Sequence, residues 1–105
     1  MKMNINNRIP SPFYLVKKFL SKIKSGVVLD IGSGNGRNSF FLARNNFRVE
    51  ALDINIQNVE NLKILSKQLK LDIEVKKLDV KKFKFQPKKY DLILAVQSLI
   101  WMKKT

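Results

Sequence analysis

One stretch constrains the chain more than any other: Val27-Val28-Leu29-Asp30-Ile31-Gly32-Ser33-Gly34-Asn35-Gly36-Arg37-Asn38. An apolar run ends in an acid, a glycine loop follows, and a helix start comes next. The run over residues 27–31 is apolar on both faces, which suits a central parallel strand covered on each side. Glycines at alternate positions let the backbone turn where side chains would collide with a bound ligand. The G-x-G-x-G spacing differs from the G-x-G-x-x-G loop that leaves room for a pyrophosphate. A carboxylate two residues ahead of the first glycine suits a ligand with positive charge and repels phosphate.

The rest of the sequence alternates in the same manner. Residues 13–24 place Phe13, Val16, Phe19, Leu20 and Ile23 at helical spacing, with Ser11 as cap, Pro12 in the first turn and Ser25-Gly26 as the stop. A short helix over residues 37–44 offers Phe40, Phe41 and Ala43 for packing and ends at Asn45-Asn46. Residues 47–52 read as a second strand stopping at Asp53. Asn55 caps a helix over residues 56–70, whose Val59, Leu62, Leu65 and Leu69 share one face. Residues 72–78 alternate as a strand nearer an edge and end at Asp79. A basic loop over residues 80–89 carries Phe83 and Phe85, and residues 90–96 form a fourth apolar strand. Residues 97–105 are expected to begin a helix or turn, with Trp101 and Met102 as its apolar packing. Residues 1–11 read as a flexible arm, and 1–105 as one partial domain.

Strands alternating with helices imply a parallel sheet with right-handed crossovers. Asp30, Asp53 and Asp79 then stand at the carboxyl ends of three successive strands, the edge where open α/β sheets bind ligands. One acid after a strand is weak evidence, because Asp is common in turns. Three in order with a glycine loop are a strong signal.

Composition narrows the chemistry. The 105 residues contain no cysteine and no histidine. Thiolate metal sites and the commonest general base are therefore excluded, and no metal site is expected. The net charge of +13 leaves two readings open. Lysine is either the default surface residue of a composition rich in Asn, Lys and Ile, or it serves contact with nucleic acid. Met1 to Pro10 lacks the apolar centre of a signal peptide, so a cytoplasmic protein is expected.

The motifs VLDIGSGNG (residues 28–36), EALDIN (50–55), KKLDV (76–80) and YDLILAVQSL (90–99) together resemble the class I methyltransferases that use S-adenosylmethionine. The glycine loop running into Arg37-Asn38-Ser39 resembles the tellurite-resistance-type subgroup. The resemblance implies a Rossmann-like α/β fold with four strands in the order 3-2-1-4. At matching positions it implies cofactor contacts from Asp30, Gly32, Ser33, Gly34, Gly36, Asp53, Ile54, Asp79, Val80 and Ala95. Asp30 would hold the methionine ammonium directly or through water, and Asp53 would take both ribose hydroxyls. Asp79 and Val80 would meet the adenine edge, Ile54 its face, and Ala95 the methionine chain. Arg37 pairs with the methionine carboxylate or is a solvated helix side chain. No catalytic residue is legible. Methyl transfer needs alignment and desolvation more than a base, so a chain without His or Cys can carry it.

Class I folds normally carry more strands than four. The expectation is a truncation after the fourth motif, with the C-terminal strands missing and the fourth strand left as an unpaired apolar edge prone to self-association. The acceptor is then a small molecule or RNA. The alternatives are a catalytically incomplete cofactor-binding fragment and a basic nucleic-acid-binding module.

Overall fold

The computed structural model describes residues 14–84, 86–95 and 98–102. Its elements run α1 (Tyr14–Leu20), β1 (Gly26–Ile31), α2 (Arg37–Arg44), β2 (Phe47–Asp53), α3 (Ile56–Gln68) and β3 (Ile73–Lys77). Short 3₁₀ turns follow at Val80–Lys82 and Pro87–Lys89, then β4 (Leu92–Ala95) and β5 (Ser98–Met102). The strands form one sheet in the order β3-β2-β1-β4-β5. The first four are parallel, in the expected order 3-2-1-4.

Strand alternation divides the buried residues between the two faces of the sheet. Val28, Val49, Ala51, Val75, Leu92 and Leu94 pack with Val16 and Phe19 of α1, Phe40 and Leu42 of α2, and Val59 and Leu62 of α3. The Phe19 and Phe47 rings meet at 5.6 Å between centroids. On the opposite face Leu29, Ile31, Leu52 and Ile93 enclose Tyr90, with Leu78 and Phe83 packed against them. Each fully buried side chain of this size contributes about 1.5–3 kcal/mol. The register aligns Ile31 with Leu52 on one side and Ala95 on the other. The carboxyl ends of β1, β2 and β4 therefore come level, which creates the edge on which a site can be built.

The helix expected over residues 13–24 is shorter. It stops at Leu20, where the amides of Ser21 and Lys22 turn to the carbonyls three residues back and the Ser21 hydroxyl donates to the Lys18 carbonyl at 2.7 Å. These contacts tighten the last turn and divert the chain. Gly26 does not end a helix but opens β1. At φ 152° it lies against the Asp91 carboxylate, where a Cβ would clash. α3 likewise ends at Gln68, before Lys70 turns left-handed at φ 55°. Asn55 caps it as expected, accepting from the Asn58 amide at 3.1 Å. The arm over residues 1–11, Ser11, Pro12, Phe13 and Phe85 lie outside the described residues.

The main correction concerns the segment after β4. Residues 98–102 form no helix; they pair antiparallel with β4, Ala95 opposite Ser98 and Leu92 opposite Met102. The expected unpaired edge on β4 is thus covered by β5, which stands at the edge of the sheet in its place. The physical reason is the row of unpaired amides and carbonyls that β4 would otherwise present. An apolar segment two residues away satisfies that row as a hairpin. None of the helices among the described residues is long and apolar enough to cross a membrane.

Candidate functional site

The glycine loop is tied to the neighbouring strand end. The amides of Gly32 and Ser33 both donate to the Leu52 carbonyl, at 2.8 and 3.0 Å. The Gly34 amide donates to Asp53 Oδ2 at 2.8 Å. The Leu78 amide in turn donates to the Asp53 carbonyl at 3.0 Å. The ends of β1, β2 and β3 are thereby laced together, and a cleft of about 180 Å³ opens among them. Ile31, Gly32, Leu52, Asp53, Ile54, Leu78, Asp79 and Val80 line it.

Of the site residues expected from sequence, Gly32, Asp53, Ile54, Asp79 and Val80 meet in this one cleft. Ile54 and Val80 are large apolar side chains left 64% and 45% exposed. Asp79 caps the first 3₁₀ turn through Oδ1, which accepts from the Lys81 amide at 3.0 Å. Gly34 lines the adjoining hollow with Asn35, Phe40, Asn58, Asn61, Leu62 and Leu65. Ala95, at the end of β4, packs against the core beside its register partner Ile31.

The glycines serve different ends. Gly34 sits at φ 56° with open space where a side chain would stand, so its bareness faces outward. Gly36 sits at φ 86°, and a Cβ there would run into Leu62 and Phe40. It lets α2 start close against α3.

Asp30 lies beneath the loop. It is only 1% exposed, and Oδ2 accepts from the Ser39 hydroxyl at 2.7 Å. It is not among the residues that line the cleft. Burial pushes its pKa up to about 6; the Ser39 bond and the Arg37 charge oppose the rise, and the Asp53 charge adds to it. The Asp53 carboxylate is heavily used. Oδ2 accepts from Gly34 and from Asn58 Nδ2 at 3.2 Å, and Oδ1 accepts from the Asn55 amide at 2.9 Å. A carboxylate offers about four acceptor positions, so roughly one remains open. The expectation that Asp53 takes both ribose hydroxyls therefore asks one of these protein donors to yield.

Sequence reading missed Ser39 and Asn58. Ser39 stands in the first turn of α2, under the end of β1. Asn58 falls one helical turn after the Asp53-Ile54-Asn55 corner, a spacing that signals a polar partner on a flank otherwise buried through Val59 and Leu62. Among the described residues, Ser33 Oγ and Arg37 Nε are buried polar atoms without a hydrogen-bond partner. Ser33 lies within the loop and Arg37 directly follows it. Native proteins rarely leave such atoms unmatched.

Comparison with known proteins agrees with this geometry. A family model described as tellurite resistance protein TehB matches residues 11–105. None of the curated proteins matches. The structure of TehB from Haemophilus influenzae is similar, at 29% identity and a TM-score of 0.69, over 76% of this chain and 28% of that one. Coclaurine N-methyltransferase, bound to N-methylheliamine and SAH, shares 25% identity at a TM-score of 0.65, over 77% of this chain and 25% of that one. The PH0226 protein of Pyrococcus horikoshii OT3 shares 28% identity at 0.65, over 75% and 38%. The chain thus spans between a quarter and two fifths of the length of these structures.

Proposed function

The chain belongs to the tellurite resistance protein TehB family, and from that membership and its cleft we propose that it binds S-adenosylmethionine and acts in methyl transfer. The observation that carries the proposal is the single cleft joining the glycine loop to Asp53, Ile54, Asp79 and Val80.

The residues fit that group. Two carboxylates border the cleft and a third lies under its loop, so phosphate is disfavoured and a cationic ligand is favoured. Ile54 and Val80 offer apolar faces to a nucleobase, and Asp79 an acceptor to its amino group. The open position on Asp53 takes one ribose hydroxyl, while its bonds to Gly34 and Asn55 hold the loop. Ser33 Oγ and Arg37 Nε, buried and unmatched, await the methionine carboxylate at the start of α2. Asp30 acts from beneath, through Ser39 and water, on the ammonium side. Ala95 borders the methionine chain. The bound group supplies a methyl carbon activated by a positive sulfur. The protein's part is then to orient the donor and exclude water from it.

The acceptor is a small molecule or an RNA, and the residues that meet it are not among those assigned above. Isothermal titration of the folded chain with S-adenosylmethionine and S-adenosylhomocysteine tests the proposal. Saturable heat with one site per chain is expected. Absence of heat and of any thermal stabilisation would sink it. Binding without turnover on any acceptor would assign the chain as a cofactor-binding module.

A further inference from the structure

The connection from β3 to β4 carries a feature that cofactor binding does not use. From Lys76 to Lys89, both included, the chain carries seven lysines and one acid, Asp79. Lys76 pairs with Glu74 at 3.1 Å, and Lys89 pairs with Glu50. Lys77, Lys81, Lys82, Lys84 and Lys88 are exposed and have no ion pair among the described residues.

These cations are displayed on a segment held at both ends. Asp79 caps its first turn, and the Lys82 and Phe83 amides close that turn on Asp79 and Val80. Phe83 packs inward against the core of the second sheet face. At the far end Glu50 grips both Lys89 and the Tyr90 hydroxyl, the latter at 2.6 Å. Unpaired like charges repel, so an anchored segment that concentrates them is electrostatically strained until a polyanion arrives. We propose that this connection is a contact surface for the phosphodiester backbone of a single nucleic-acid strand.

The chemistry separates that partner from others. Lysine is a compact charge on a flexible stem, which suits a repeating phosphate more than a fixed set of carboxylates. A membrane surface would call for apolar residues to insert. Among the described large apolar side chains in this stretch, Phe83 is turned inward and Leu78 and Val80 belong to the cleft. Among the described residues of the stretch no aromatic is placed to stack on bases, so recognition is assigned to the backbone. The inference stands whether or not the cleft takes a cofactor.

The test is fluorescence anisotropy with labelled single-stranded RNA and DNA of one sequence, roughly 20 nucleotides long, over a salt series. The reference protein is compared with a variant carrying Lys77→Gln, Lys81→Gln, Lys82→Gln, Lys84→Gln and Lys88→Gln. A charge-matched control carries Lys17→Gln, Lys18→Gln, Lys22→Gln, Lys63→Gln and Lys67→Gln, on the helical side. The connection variant is expected to bind at least about tenfold more weakly near 100 mM salt, with the salt slope reduced by about three. The control is expected to lose less than about threefold, and RNA and DNA to bind within about threefold of each other. Equal losses in both variants would overturn the proposal. So would absence of binding at low salt, a tenfold preference for one sugar, or capture by phosphatidylserine vesicles without nucleic-acid binding. Lys81→Gln with Lys82→Gln alone, expected to show a smaller loss in the same direction, serves if the fivefold variant fails to fold.

Discussion

Asp53 Oδ2 and the Gly34 amide, nineteen residues apart in sequence, meet at 2.8 Å and hold the glycine loop against the end of β2. The same carboxylate is a wall of the cleft and the acceptor for the Asn55 amide at the start of α3. One side chain thus shapes the loop, the helix corner and the site.

Asp53→Asn keeps the size, loses about two of the four acceptor positions, and turns an NH₂ toward one of the two backbone amides. A stability loss of about 1–3 kcal/mol in urea unfolding is expected from the unmatched donors. Affinity for S-adenosylhomocysteine should fall by about tenfold or more, read by titration. Undiminished affinity would remove Asp53 from the site.

Gly34→Ala and Gly36→Ala should separate function from packing. Both glycines are left-handed, which costs an alanine about 1 kcal/mol or somewhat more. At Gly36 the new methyl also meets Leu62 and Phe40, adding about 1–3 kcal/mol of overpacking. Gly36→Ala is therefore the more destabilised in urea. Gly34→Ala should lose only that conformational cost in stability while losing cofactor affinity. The reverse order would show that the loop is packed differently.

The pH dependence of stability should carry the mark of Asp30. Its pKa is 3.8 as an isolated side chain and about 6 in the native protein. Between those values the native state keeps a proton that the unfolded state has lost. Stability therefore falls as pH rises through that window, is unaffected below it and levels off above it. The full difference corresponds to about 3 kcal/mol. Asp30→Asn cannot ionise and keeps an acceptor for Ser39. Its stability relative to the reference protein should rise between pH 4 and pH 7.5. Parallel pH curves for the two proteins would contradict the burial of this carboxylate.

Much of this site was readable because its signals are local. α2 is bounded by Gly36 and by Asn45-Asn46, and its limits follow from those residues alone. The acids at the ends of β1 and β2 and just beyond β3 line up because parallel strands share one carboxyl edge. What escaped depends on partners distant in sequence. That Asp53 spends most of its acceptor positions on protein donors emerges only once Gly34 and Asn58 are in place. Residues 98–102 are apolar in either helix or strand, and the bare side of β4 decides between them. The truncated reach of α1 reflects the Ser21 hydroxyl contact, which competes with the helix ladder.

Glu50 and Tyr90, forty residues apart, form a buried contact whose loss should be legible in acid titration. Burial alone would raise the Glu50 pKa, yet the hydrogen bonds from Lys89 and Tyr90 and the Lys89 charge outweigh it and hold the carboxyl below its ordinary range. The lowered pKa means that this stabilisation is fully present above the ordinary carboxylate range and is lost as pH falls through the native value. Tyr90→Phe removes one of the two donors and leaves a buried carboxylate oxygen without its partner. At pH 7 a loss of about 2 kcal/mol is expected in urea unfolding. That loss should shrink as the solution is acidified, because a protonated Glu50 no longer depends on the hydroxyl. An unchanged penalty from pH 7 down to pH 3 would assign the cost to packing of the ring and not to the ionised pair. Since Glu50 also holds Lys89, Tyr90→Phe should loosen the end of the β3–β4 connection, and faster amide exchange at Lys88 and Lys89 would register it.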